Sequence, residues 1–160
     1  MRVSMAGRMV CTVLAALMVA GGVRADEEKV PLDKVPAKVR QALKTKYPRA
    51  EVVSAEKEDE NGKTVYEFKL KQGKKKWEAS FTPDGDFVGI EEVIKESDLP
   101  AQVKEGLRKK YPHAKVLRVE KETTGEGDSA KVVYEIVVQD KKGKREVQFD
   151  PHGKFRGEEK

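Results

Sequence analysis

The chain has 160 residues and a mass of 17.9 kDa, with 38% hydrophobic, 38% charged and 6% aromatic residues. That is room for one ordinary domain or two very small ones, and it excludes a large multidomain enzyme. Residues 1–25 hold three Arg, no acid, all four Met and the single Cys, so their removal leaves 30 basic and 28 acidic residues and lowers the net charge from +5 to +2. The basic balance is then poor grounds for a nucleic-acid partner, and none is expected.

At the start of the chain, Arg2 and Arg8 precede an uncharged stretch from Met9 to Val23, and Val23-Arg24-Ala25 follows where a signal peptidase would cut. This is a secretory pattern. The stretch reaches only about 22 Å as a helix, short of the roughly 30 Å hydrocarbon core. The reading is a cleaved signal peptide over 1–25, export to the periplasm or cell exterior, and no stable membrane span once the signal is removed. An uncleaved N-terminal anchor is the weaker alternative. Cys11 lies inside the apolar run and not just after the cut, which argues against a lipoprotein. The exported part has no Cys, so burial alone must hold it together.

After the signal, the chain repeats itself. Val35-Pro36-Ala37-Lys38-Val39 recurs as Leu99-Pro100-Ala101-Gln102-Val103, and Lys46-Tyr47-Pro48-Arg49-Ala50 as Lys110-Tyr111-Pro112-His113-Ala114, both at an offset of 64. Glu56-Lys57-Glu58 matches Glu120-Lys121-Glu122. From Val65-Tyr66-Glu67 the partner is Val133-Tyr134-Glu135 at an offset of 68, so four residues are added around Thr123 to Ala130. Two repeats follow, over 26–92 and 93–160, joined by a short ordered connection from Glu91 to Asp98.

Each repeat opens on a helix. Val35, Val39, Ala42, Leu43 and Tyr47 recur at helical spacing, Pro36 is tolerated in the opening turn, and Asp33, with Ser97 or Asp98 in the second copy, is the expected N-cap. Tyr47 and Tyr111 each precede a proline, which ends both helices there. The pattern then changes to period two. Tyr66, Phe68 and Leu70 point one way and Val65, Glu67 and Lys69 the other; Trp77, Ala79 and Phe81 repeat the alternation. Asn61-Gly62, Gly73, Pro83-Asp84-Gly85 and Pro151-His152-Gly153 supply the turns. The fold class is α+β: two tandem units of one helix and four antiparallel strands, sharing one curved sheet with the helices on one face.

These residues resemble the PepSY-like domain family. The Leu/Val-Pro helix start, the Tyr-Pro-x-Ala exit, and strands carrying Tyr-Glu-Phe and Phe-x-Pro-Asp-Gly-x-Phe are similar to the group related in fold to the secreted β-lactamase inhibitor protein. The resemblance spans roughly residues 31–92 and 93–159. It implies export and non-catalytic binding, often of an inhibitory kind. The chain lacks that inhibitor's disulfides and matches no inhibitory loop residue by residue, so β-lactamase is not carried over as a target.

The residues themselves offer little chemistry. Beyond the signal there are four Ser (Ser54, Ser80, Ser97, Ser129), two His and no Cys. His113 and His152 have Arg49 and Asp84 as counterparts, which marks them as surface positions. No catalytic residue, cofactor or metal ligand is assigned, and the protein is read as no enzyme. The acidic run Glu56, Glu58, Asp59, Glu60 reads as a solvated turn. Lys69, Lys71, Lys74, Lys75 and Lys76 read as a hairpin edge that resists aggregation. In Val132 to Val138, Val133 and Val137 fall on the face opposite Tyr134, Ile136 and Val138. Two readings stand: an apolar stripe that docks a protein, or a central strand whose second face is covered by Lys and Glu stems. The first makes Val65, Glu67, Val133, Glu135 and Val137 the candidate partner-binding residues, for a secreted or periplasmic protein. The alternative function is binding of ions or anionic envelope polymers through exposed charge.

Overall fold

The computed structural model describes residues 28–60 and 63–159; the segment 1–25 expected to be a signal peptide and the expected turn Asn61-Gly62 lie outside them. A two-residue strand β1 (Glu28–Lys29) is followed by helix α1 (Ala37–Lys46) and strands β2 (Glu51–Glu60), β3 (Lys63–Gln72), β4 (Lys75–Phe81) and β5 (Phe87–Val93). Helix α2 (Ala101–Lys110) then leads to β6 (Lys115–Thr124), β7 (Lys131–Asp140), β8 (Gly143–Phe149) and β9 (Phe155–Glu159). The nine strands form one open sheet in sequence order, each antiparallel to its neighbours. β1, which the periodicity does not foresee, pairs with Lys57 and Glu56 of β2.

Both helices start after a proline and stop at a Tyr-Pro step. Pro36 and Pro100 are the N-caps and form no side-chain cap bond, so Asp33, Ser97 and Asp98 do not cap; they lie in short 3-10 turns just upstream. At the other end, the Tyr47 N–H donates to the Leu43 carbonyl and the Tyr111 N–H to that of Leu107, each at 2.8 Å.

Val35, Val39 and Leu43 pack on Phe68, Leu70, Trp77, Ala79 and Phe81, while Leu99, Val103 and Leu107 pack on Val119, Ile136, Val138, Val147 and Phe149. Ile90 against the first core and Val119 in the second share a face by strand alternation, which puts both helices on the same side of the sheet. β5 and β6 pair over Gly89–Val93 and Glu120–Thr124, so the sheet runs unbroken between the two cores. α2 sits especially close to the β8–β9 turn: a Cβ on Gly106 would lie 2.2 Å from the Gly153 carbonyl oxygen. The counterpart of Gly106 in α1 is Ala42, which the looser first turn accommodates.

Candidate functional site

The alternation that sends Phe68 and Leu70 under α1 sends Glu67 and Lys69 to the opposite, helix-free face, and antiparallel register decides which residues meet there. Glu56 stands opposite Glu67, Glu78 opposite Glu91, and Glu120 opposite Glu135. The steps between are diagonal. Glu78 faces Lys69 and so neighbours Glu67; Glu91 faces Glu122 and so neighbours Glu120; Glu146 faces Val137 and so neighbours Glu135. Seven carboxyl groups thus form one row, one on each strand from β2 to β8, roughly 29 Å long at the usual strand spacing.

Most of this row is withdrawn from water. Glu56, Glu67, Glu91, Glu120 and Glu135 are 3–9% exposed, Glu78 and Glu146 are half-buried, and Glu58 and Glu122 flank the row. Like charges so placed cannot all ionise. Lys69 Nζ donates to Glu56 Oε2 at 3.2 Å, Arg118 pairs with Glu120, and Gln148 Nε2 donates to Glu135 Oε1 at 2.7 Å. The remaining contacts are between carboxyls. Glu67 lies diagonally beside Glu78, Glu91 beside Glu120 and Glu135 beside Glu146.

Burial is the first cause that lifts Glu67, Glu91 and Glu135 out of the ordinary carboxyl range, and the neighbouring carboxylate the second. Glu67 and Glu135 are pushed up to about 9 and Glu91 to about 11. Glu120 is also raised by burial, against the pull of the Glu91 hydrogen bond and the Arg118 charge. The oxygens of Glu56, Glu58 and Glu67, and those of Glu120, Glu135 and Glu146, converge within 4.8 Å. Carboxyl pairing, Lys69 and Arg118 engage these groups, and none is assigned as a metal ligand.

The five residues singled out from the sequence all lie on this face, but they do not form an exposed apolar stripe. Val65, Glu67, Glu135 and Val137 are buried and Val133 is half-buried; in the register Val65 stands opposite Glu58, Val133 opposite Glu122, and Val137 between Arg118 and Glu146. β3 and β7 are four strands apart, about 19 Å, so Val65 and Glu67 do not meet Val133 and Glu135. Glu56 and Glu58 are buried within β2 and not part of a solvated turn. Exposed apolar side chains do occur: Val93, opposite Glu120 on this face, is 61% exposed, and Val53 and Leu117 are bare where β-bulges interrupt the pairing of β2 and β6. Glu78, Glu91, Glu120 and Glu146 are not among the residues the sequence reading singles out. Their signal is the repeat itself, since Glu67 and Glu78 reappear as Glu135 and Glu146 at the offset of 68.

Trp77 is buried beneath α1, with its ring 5.7 Å from that of Tyr47, as its phase with Ala79 and Phe81 requires. His113 and His152 are exposed, at the α2 exit and in the β8–β9 turn. No described helix is long and apolar enough to cross a membrane.

An open antiparallel meander, with helices on one face and a polar row on the other, defines an α+β protein whose free sheet face is its distinctive surface. The family described as "Putative beta-lactamase-inhibitor-like, PepSY-like" matches residues 22–89 and 74–157, and the chain belongs to it. No curated protein matches the chain significantly. Solved structures share the fold. A DUF2874 family protein of Bacteroides ovatus has a TM-score of 0.64 at 17% identity, over 79% of this chain and 88% of its own. A protein of Bacteroides eggerthii described as "putative periplasmic" has a TM-score of 0.62 at 21% identity, over 78% and 88%. A BLIP-like protein of Bacteroides fragilis has a TM-score of 0.59 at 19% identity, over 78% and 85%.

Proposed function

We propose that the protein is an exported, non-catalytic binding module made of two helix-plus-four-strand units, 26–92 and 93–160, behind a signal peptide at 1–25. It binds a periplasmic or secreted protein on its helix-free sheet face, and the partner presents a cationic surface. The observation that carries this reading is the row of seven carboxyls, which among the described residues forms ion pairs with two cations, Lys69 and Arg118, and so keeps acidity over. Exposed Val93 supplies apolar contact beside it. Complementary charge sets partner choice and association rate more than raw affinity. Inhibition of a secreted hydrolase, in keeping with the family description, is one form such binding would take.

Capture from periplasmic extract by the wild type and by a Val93→Lys/Val133→Lys variant tests this. The expected result is a cationic partner retained by the first and lost by the second, with retention weakening as salt rises from ~0.1 M to ~1 M. Identical partner lists would remove the sheet face from consideration. Binding of anionic envelope polymers is the second reading, favoured by the exposed basic last turns of the helices, Lys44 and Lys46 in α1 and Arg108, Lys109 and Lys110 in α2. A polyglutamate probe that binds where a lysine-rich peptide does not would select it.

A further inference from the structure

The row across the free face contains more acceptors than donors. Among the described residues, the seven carboxyls meet one lysine, one arginine and one glutamine amide, and Glu78 Oε2 is buried with no hydrogen-bond partner. Left ionised, neighbours such as Glu67 and Glu78 would repel across the strands they are meant to hold together. Protons supply the missing donors.

We propose that this face is a proton-dependent clasp: the cross-strand pairs Glu67–Glu78, Glu91–Glu120 and Glu135–Glu146 each hold one proton between two side chains, and the sheet loosens when those protons leave. The three pairs tie β3 to β4, β5 to β6 and β7 to β8, so they fasten six central strands two by two.

The surroundings of each donor retain its proton. Glu67 faces Glu56 and Glu58 from β2 and Glu78 from β4, with Lys69 on its own strand the one cation beside it. Glu91 faces Glu78 from β4, with the exposed Lys76 on the diagonal, and Glu120 and Glu122 from β6, where Arg118 pairs with Glu120. Glu135 faces Glu120, Glu122 and Arg118 from β6, and Glu146 and the neutral Gln148 from β8. Carboxylates outnumber cations around every donor, and burial removes the water that would stabilise a second charge. Unfolding returns each donor to water, where it ionises near neutral pH.

The test counts protons. The purified protein is unfolded by denaturant at about pH 7.5 in weakly buffered solution with an indicator dye, against a denaturant blank. About three protons should be released per chain, one per pair. Glu67→Gln, Glu91→Gln and Glu135→Gln keep a donor in place and should each release about one fewer. Release of less than one proton by the wild type overturns the proposal, as does unchanged release from all three folded variants. If the variants do not fold, the wild-type count decides alone. This readout is independent of any partner, so it stands or falls apart from the binding reading.

Discussion

Glu91 on β5 lies diagonally beside Glu120 on β6, so the proton proposed for that pair sits where the first half of the sheet meets the second. Stability should follow that proton and its two counterparts. The folded pKa values, about 9 for Glu67 and Glu135 and about 11 for Glu91, lie above the ordinary 4.5. The stability these protons lend is complete below about pH 4.5 and is lost as pH climbs through the folded values, much of it between about pH 5 and 9. Each contributes up to about 1.4 kcal/mol per pH unit in that window. Urea midpoints should therefore fall steadily from acid to alkaline pH, and Glu91→Gln should flatten the slope by one proton's share. A midpoint that rises with pH over this range would contradict the assignment.

Close approach of α2 to the β8–β9 turn depends on two glycines. A Cβ on Gly153 would meet the Gln102 carbonyl oxygen at 2.0 Å, and the residue has a φ of +78°. Gly153→Ala therefore forces the helix off the turn and strains the backbone as well. Gly106→Ala meets the Gly153 carbonyl oxygen. Each should cost about 1–3 kcal/mol and lower the thermal midpoint by several degrees. By contrast, Gly73→Ala, with φ +60° and nothing within 4 Å, should cost only about 1 kcal/mol, from the left-handed backbone alone.

Each helix covers its own aromatic core. Phe68 and Phe81 meet edge to face with ring centroids 6.0 Å apart beneath α1, and Phe149 and Phe155 do so at 5.7 Å beneath α2. Phe68→Ala or Phe149→Ala should destabilise by about 3–5 kcal/mol, read from denaturant unfolding. Leu32→Ala, at an exposed position, should cost well under 1 kcal/mol.

Lys46 ties α1 to the other half of the chain. Its ammonium lies 4.0 Å from the centre of the Phe87 ring and pairs with Glu126 in the loop after β6. Both contacts are at the surface, so Lys46→Ala should cost about 0.5–1 kcal/mol at low salt, and the part due to Glu126 should shrink as salt rises. A double-mutant cycle with Glu126→Gln isolates that part.

Both helices, their Tyr-Pro endings and the faces of Phe68, Trp77 and Ile136 were legible because each rests on local chemistry: a 3.6-residue or two-residue period, and the steric effect of proline on its predecessor. Helix caps were less legible. Asp33 and Asp98 are good capping residues by type, yet the chain places them in 3-10 turns a step too early. Val133 and Val137 lie on the face their period indicates, but their register partners there, Glu122, Arg118 and Glu146 from β6 and β8, are something no period in β7 reveals.

From the amino-acid order alone came the repeat, the α+β class and the two-faced strands, since these follow from interactions between residues close along the chain. The carboxyl row was decided only by tertiary structure. Glu56, Glu67, Glu78, Glu91, Glu120, Glu135 and Glu146 become neighbours through cross-strand register, which bulges such as the one between Val116 and Arg118 shift by a residue, and their protonation depends on the burial that this register creates.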